Sequence, residues 1–150
     1  MEPEYIKGDQ YVDDRGFLTF CNSWRIDLAG VKRFYQVENH AAGTIRAFHG
    51  HQKEEKFVRV IRGAAVIITV PICSVEDRSL IRAEIQPFIL SSRTPAVLHI
   101  PAGFYNGFKT LTSDTIVEFY STSTVEESRC DDERLPWNAF GEEIWEVKYR

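Results

Sequence analysis

The sequence predicts an all-β fold, an antiparallel sandwich or barrel with little helix, and three observations lead there. No stretch of a dozen residues carries apolar positions at i, i+3, i+4 and i+7, the spacing of a helix that buries one face. Short apolar runs of strand length follow one another instead, at 17–20, 31–37, 44–48, 56–61, 64–70, 83–90, 96–100, 107–110 and 115–120. Turn-forming residues stand between many of them, as in Asp14-Arg15-Gly16, Arg62-Gly63, Pro101-Ala102-Gly103 and Thr112-Ser113-Asp114.

Each element has its own reason. Asp14-Arg15-Gly16 punctuates the chain before the run at 17–20, and Arg62-Gly63 punctuates the gap between 56–61 and 64–70. Residues 64–70 are apolar on both faces, which suits a strand buried between two layers. After Tyr120 the strand pattern stops: 121–134 is polar and acidic, and Trp137, Phe140, Ile144, Trp145 and Tyr149 form a last aromatic segment. We read those aromatics as packing over the barrel or against a partner subunit. At 150 residues the chain has room for a single domain, with a core about 9–121 and a C-terminal extension about 122–150.

Composition narrows the function. With 43% hydrophobic and 27% charged residues the chain is that of a folded protein, which excludes a disordered or fibrous reading. The net charge of −4 comes with no basic stripe, so a nucleic-acid partner is not expected. The same charge is compatible with a nucleoside diphosphate, because a few placed arginines can hold one on an acidic protein. Cys21, Cys73 and Cys130 form no C-x-x-C pair and suggest neither disulfides nor a zinc knuckle. An acidic start, Met1-Glu2-Pro3-Glu4, and the lack of any long apolar run predict a cytoplasmic protein without a leader or a membrane span.

The chemistry centres on His49-Gly50-His51. Residues two apart on a strand project from one face, so the two imidazoles point together. Glu55 and Lys56 follow where the next run begins, and a second cluster, Pro101-Ala102-Gly103-Phe104-Tyr105-Asn106-Gly107-Phe108, forms a turn. A histidine pair alone is more often surface or structural; joined to Arg46, Lys56 and that turn it marks a pocket. His40 and His99 are read as structural, and Glu55 as a surface or ion-pairing carboxylate.

These segments resemble the two cupin motifs, with Asn106 where the second motif usually has a histidine. Metal-binding cupins would use the matches to His49, His51 and Glu55 with that missing histidine, so no metal is expected. The sugar-nucleotide branch is closer still. Asp13-Asp14-Arg15-Gly16-Phe17 resembles the D-x-R-G-F opening of the dTDP-4-dehydrorhamnose 3,5-epimerases. Gln36, Asn39 and His40 followed by Ile45-Arg46-Ala47-Phe48-His49, then Lys56-Phe57-Val58-Arg59-Val60, then 100–108, are similar to further motifs of that family in the same order. Lys32-Arg33-Phe34-Tyr35 and Arg46-Ala47-Phe48-His49-Gly50-His51 also resemble the dTDP-sugar 3,4-ketoisomerases.

The resemblance implies a cupin-type double-stranded β-helix, a jelly-roll barrel, forming a homodimer. It implies an isomerase acting on a nucleotide-linked 4-keto-6-deoxy sugar, epimerising C3 and/or C5 next to the C4 ketone, in the making of a surface glycan or glycoside. The alternatives are a 3,4-ketoisomerase, a non-catalytic sugar-binding cupin and a metal-dependent one. A C4 ketone acidifies its neighbouring protons, so the reaction needs a base near neutral pKa and a donor for the enolate oxygen, and it needs no cofactor. The resemblance assigns the base to His49; His51, Lys56 and Tyr120 complete the expected catalytic set. Arg15, Phe17, Arg33, Tyr35, Gln36, Asn39, Arg46 and Asn106 are the expected substrate-binding residues. Three departures count against a strict 3,5-epimerase. Ala47 stands where a glycine is usual, the second pocket tyrosine falls near Thr124-Val125, and the C-terminal aspartate that backs the epimerase histidine is not recognisable.

Overall fold

Two five-stranded antiparallel sheets face each other in the computed structural model, which describes residues 1–25, 27–72 and 84–150. The strands are β1 (Glu4–Lys7), β2 (Asp9–Asp13), β3 (Gly16–Phe20), β4 (Arg33–Glu38), β5 (Ile45–His51), β6 (Lys56–Arg62) and β7 (Ala64–Pro71). β8 (Gln86–Ser91), β9 (Ala96–Ile100), β10 (Phe104–Thr110), β11 (Ile116–Ser121) and β12 (Glu133–Arg134) follow, with a short helix α1 (Val125–Cys130) before β12. The first sheet has the order β1-β9-β6-β11-β4 and the second β12-β5-β10-β7-β8, while β2 and β3 form a separate hairpin. Cys73 and the first residue of the expected run at 83–90 lie outside the described residues.

Alternation decides what each strand offers the interior. On β6 and β11 the inward residues are Val58 and Val60 with Val117 and Phe119, joined by Leu98 and Ile100 from β9. The second sheet answers with Ala65, Ile67, Leu90, Phe104 and Phe108. Burying each large aliphatic side chain contributes roughly 1.5–3 kcal/mol, so this layer supplies the main drive to close the sandwich. The outer face of the second sheet is buried as well. Phe48, Val66, Ile68, Val70 and Tyr105 pack under Phe140 and Trp145, with Phe48 ring centroids 4.9 Å from Phe140 and 5.5 Å from Trp145. The aromatic tail therefore covers the barrel as its composition suggested. Exposed Tyr149 takes no part.

The strand series holds, with shifted ends and three additions. β1, β2 and β12 carry no apolar run that would announce them. Helix α1 has a signal that a search for apolar period passes over: Thr124 caps the backbone N–H of Glu127, whose carboxylate accepts the N–H of Thr124 in return. Lys32 Nζ, 2.8 Å from Glu127, ties the cap to the barrel.

Candidate active site

The inward residues change character at one end of the sandwich. β5 delivers His49 and His51, β6 delivers Lys56, β4 delivers Arg33 and Tyr35, and β10 delivers Asn106, directly opposite His49. One extra residue of β5 between Arg46 and His49, where β10 has only Gly107 between Asn106 and Phe108, turns Arg46 to the same inner face as His49. Gly107 permits this approach, since a Cβ there would sit 2.3 Å from that of Ala47. Arg46 Nε then donates to buried Asn39 at 2.7 Å, and Asn106 Nδ2 donates to the main-chain oxygen of His49 at 3.1 Å.

The C-terminal extension supplies what the sequence reading did not find. Helix α1 ends at Cys130, and Asp131 accepts the backbone N–H groups of Gln52, Lys53 and Glu54 at 2.9, 2.8 and 3.1 Å. Burial works to raise its pKa, yet these donors outweigh it and hold the carboxyl below the ordinary range. β12 then pairs with the edge of β5, Glu133 opposite Gly50 and Arg134 opposite His49. Tyr105 helps fix it, lying across Gly50, which has no side chain to obstruct the ring, and donating to Glu133 at 2.8 Å. Between these anchors Asp132 Oδ1 stands 2.9 Å from His49 Nδ1, and Arg134 Nε holds its other oxygen at 2.7 Å. The expectation that this chain lacks a C-terminal aspartate behind the histidine is therefore corrected.

Depth separates the two histidines. The side chain of His49 is 39% exposed, at the open end of the barrel, while that of His51 is 4% exposed beneath it. Lys56 is buried beside His51, its Nζ 3.4 Å from Nδ1 of the ring. Burial, reinforced by the Lys56 charge, pushes His51 down to about 4, so the ring is neutral at ordinary pH. Burial likewise pushes Lys56 down to about 8, against the pull of Glu54. Tyr35 stacks on Phe119 with centroids 4.9 Å apart, and burial raises its phenol well above the ordinary value, which keeps the hydroxyl protonated.

Four expected residues are not at this end. Tyr120 and Gln36 sit one residue out of phase with the inner positions, on the outer face of the first sheet. Gln36 donates to Glu118 at 2.8 Å, Tyr120 donates to the same carboxylate, and the Tyr120 ring lies 5.4 Å from Trp24. The catalytic expectation for Tyr120 is corrected: Val117 and Phe119 take the inward positions of that strand. Arg15 and Phe17 lie at the exposed β2–β3 hairpin, Phe17 at 73% exposure, with Arg15 paired to Asp13. Arg33 does face inward, yet its guanidinium is engaged by Ser123 O at 3.0 Å and Glu54 at 3.2 Å rather than free for phosphate.

Glu54 is the inner carboxylate that the motifs hid. The matched Glu55 turns outward and meets His99 Nε2 at 2.7 Å, which agrees with an ion-pairing Glu55 and a structural His99. Among the described residues no group of three or more His, Cys, Asp or Glu is arranged to hold a metal ion. Nor is any helix there long and apolar enough to cross a membrane. Two hollows lie elsewhere: about 800 Å³ between the hairpin and the outer face of the first sheet, and about 1080 Å³ under the C-terminal tail.

A jelly-roll barrel that brings a carboxylate-paired imidazole and a buried lysine to one end defines a cupin-type fold with a titratable site. The chain belongs to the dTDP-4-dehydrorhamnose 3,5-epimerase family, whose model matches residues 4–143, and it is an enzyme that isomerises sugar nucleotides. It is 31% identical over 147 residues to a dTDP-4-dehydrorhamnose 3,5-epimerase of Sinorhizobium fredii, covering 91% of this chain and 72% of that one. It is 27% identical over 133 residues to the spore coat polysaccharide biosynthesis protein SpsL of Bacillus subtilis, covering 86% and 84%. Its fold is similar to that of a double mutant of the QdtA 3,4-ketoisomerase of Thermoanaerobacterium thermosaccharolyticum in complex with TDP. The TM-score is 0.68 at 18% identity, over 95% of this chain and 93% of that one.

Proposed function

We propose that this protein epimerises a dTDP-4-keto-6-deoxy sugar at C3 and/or C5, with His49 as the base. The observation that carries the reading is the 2.9 Å contact between His49 Nδ1 and Asp132. Asp132 accepts the Nδ1 proton, which leaves the Nε2 lone pair to take a proton next to the ketone, and steadies the imidazolium that results. Lys56, charged below about pH 8, donates to the enolate oxygen from a site with little water, where such a contact gains strength. Tyr35 replaces Tyr120 as the phenol inside the barrel and returns a proton to the opposite face of the sugar. Arg46, braced by Asn39, grips the diphosphate.

The nucleotide end calls for a second subunit. Arg15 and Phe17 project on a hairpin whose Tyr11, Val12 and Leu18 are each more than half exposed, at 61%, 63% and 62%. We read this hairpin as reaching a partner in a cytoplasmic homodimer, Phe17 against the base and Arg15 against phosphate.

The test is incubation with dTDP-4-keto-6-deoxyglucose in deuterated water. Deuterium at C3 or C5 with the ketone retained at C4 is the expected result. A carbonyl moved to C3 would assign ketoisomerisation, with the two same-face histidines as its proton carriers. Binding with no exchange at all would leave a sugar-binding cupin and rule out proton transfer by His49.

A further inference from the structure

Beneath the reactive histidine, His51 lies between groups that determine where its proton sits. Glu54 is 2% exposed; its Oε1 accepts from Ser121 Oγ at 2.8 Å and from Arg33 at 3.2 Å. Its Oε2 makes no aligned hydrogen bond and stands 3.3 Å from His51 Nε2. The same ring nitrogen also faces Ser128 Oγ at 3.5 Å and Asp132 Oδ1 at 3.9 Å. On the other side of the ring, Nδ1 meets Lys56 Nζ at 3.4 Å. An ammonium has only protons to offer, so the nitrogen facing it must present its lone pair. The single proton of the neutral ring then sits on Nε2, among three oxygens.

Both nitrogens of His51 are thereby committed to protein groups, unlike those of His49, where among the described residues only Nδ1 has a partner. We infer that His51 is a positioning residue and not a proton carrier: Glu54 fixes its tautomer, and its Nδ1 holds the Lys56 ammonium in place to serve the oxygen of the bound ketone. The task of Lys56 rests on the epimerase reading; the tautomer of His51 does not. The charged and titratable groups around Lys56 are His51, Glu54, Arg33, Asp132 and Asp131, and the carboxylates act against burial to keep it charged. Removing the Glu54 charge therefore lowers the pH at which the ammonium is lost.

Two measurements decide this. Nitrogen-15 spectra of the histidine rings, with His51 assigned by its loss in His51→Gln, are expected to show one neutral ring protonated at Nε2 from pH 6 to 8. A ring protonated at Nδ1, or one that titrates near pH 6.5, overturns the inference. In turnover, Glu54→Gln is expected to move the alkaline limb of the kcat profile about half a pH unit or more toward acid, because a charge next to the lysine is gone. A limb that stays put overturns the link from Glu54 to Lys56. His51→Gln, whose amide oxygen can still accept from the ammonium, is expected to keep kcat within about 30-fold, while His51→Leu falls by roughly 1000-fold. A His51→Gln variant as impaired as His49→Gln would show that the ring itself carries protons. Should the wild type exchange no deuterium with any keto sugar, the epimerase reading fails while the spectra still decide the tautomer.

Discussion

The two ends of the sandwich are built from the same strands and obey opposite rules. Toward one end the inward positions are Val58, Val60, Ile67, Leu90, Leu98 and Val117, a dry layer in which every contact favours folding. A few residues along, the inward positions are Lys56, His51, Glu54 and Arg33, where charges have been taken out of water. Such groups cost stability unless every one is paired, and the long 3.4 Å contact of Lys56 shows incomplete pairing. The apolar end holds the shape; the polar end uses part of the stability so gained to keep a lysine poised.

That contrast can be broken from either side. The largest effect is expected at His49. His49→Gln should lower kcat by about 1000-fold or more, the usual scale for losing a general base, with circular dichroism unchanged. Asp132→Asn should lose about 100-fold in the same assay, since it deprives the base of its tautomer and its counter-charge. At the dry end Ile67→Ala should cost about 2–5 kcal/mol in chemical denaturation, with kcat per folded molecule preserved.

Lys56→Met joins the two ends. It should reduce kcat to background while stabilising the fold at pH 7 by about 1–3 kcal/mol. The sign follows from the lowered folded-state pKa, about 8 against an ordinary 10.5: below pH 8 the ammonium is carried at a higher cost in the folded protein than in the unfolded chain. Between pH 8 and 10.5 the unfolded chain binds more protons, so wild-type stability should rise with pH there, and the Met variant should not show that rise. The smallest effect is expected at Tyr120→Phe, whose hydroxyl serves Glu118 on the outer face. Steady-state kcat should change by less than about twofold.

How much of this was legible in the sequence follows the same division. Strands with two apolar faces or firm turns, such as β7 and β9, stood at or near their expected limits because composition alone determines them. His49, Lys56, Arg46 and Asn106 lie together as expected because strand motifs keep their spacing. Tyr120 and Gln36 were misplaced by one residue of phase, since a motif records positions without saying which face looks inward. Glu54 was passed over for its neighbour Glu55, because the loop between β5 and β6 has no alternation to read. Asp132 was missed for a different reason. It lies in a polar segment with no apolar pattern, and only the Thr124–Glu127 capping pair and the run Asp131-Asp132-Glu133 hinted that the segment is held in place.

The base and its carboxylate are separated by 83 positions in the chain. Nearly the whole barrel has therefore been synthesised before the two can meet, and on the proposed reading a nascent protein of otherwise native shape is about 100-fold slower. Fraying of the two residues of β12 from the edge of β5 would return it to that slower state. For an enzyme of reactive ketones, competence arrives with the final clasp.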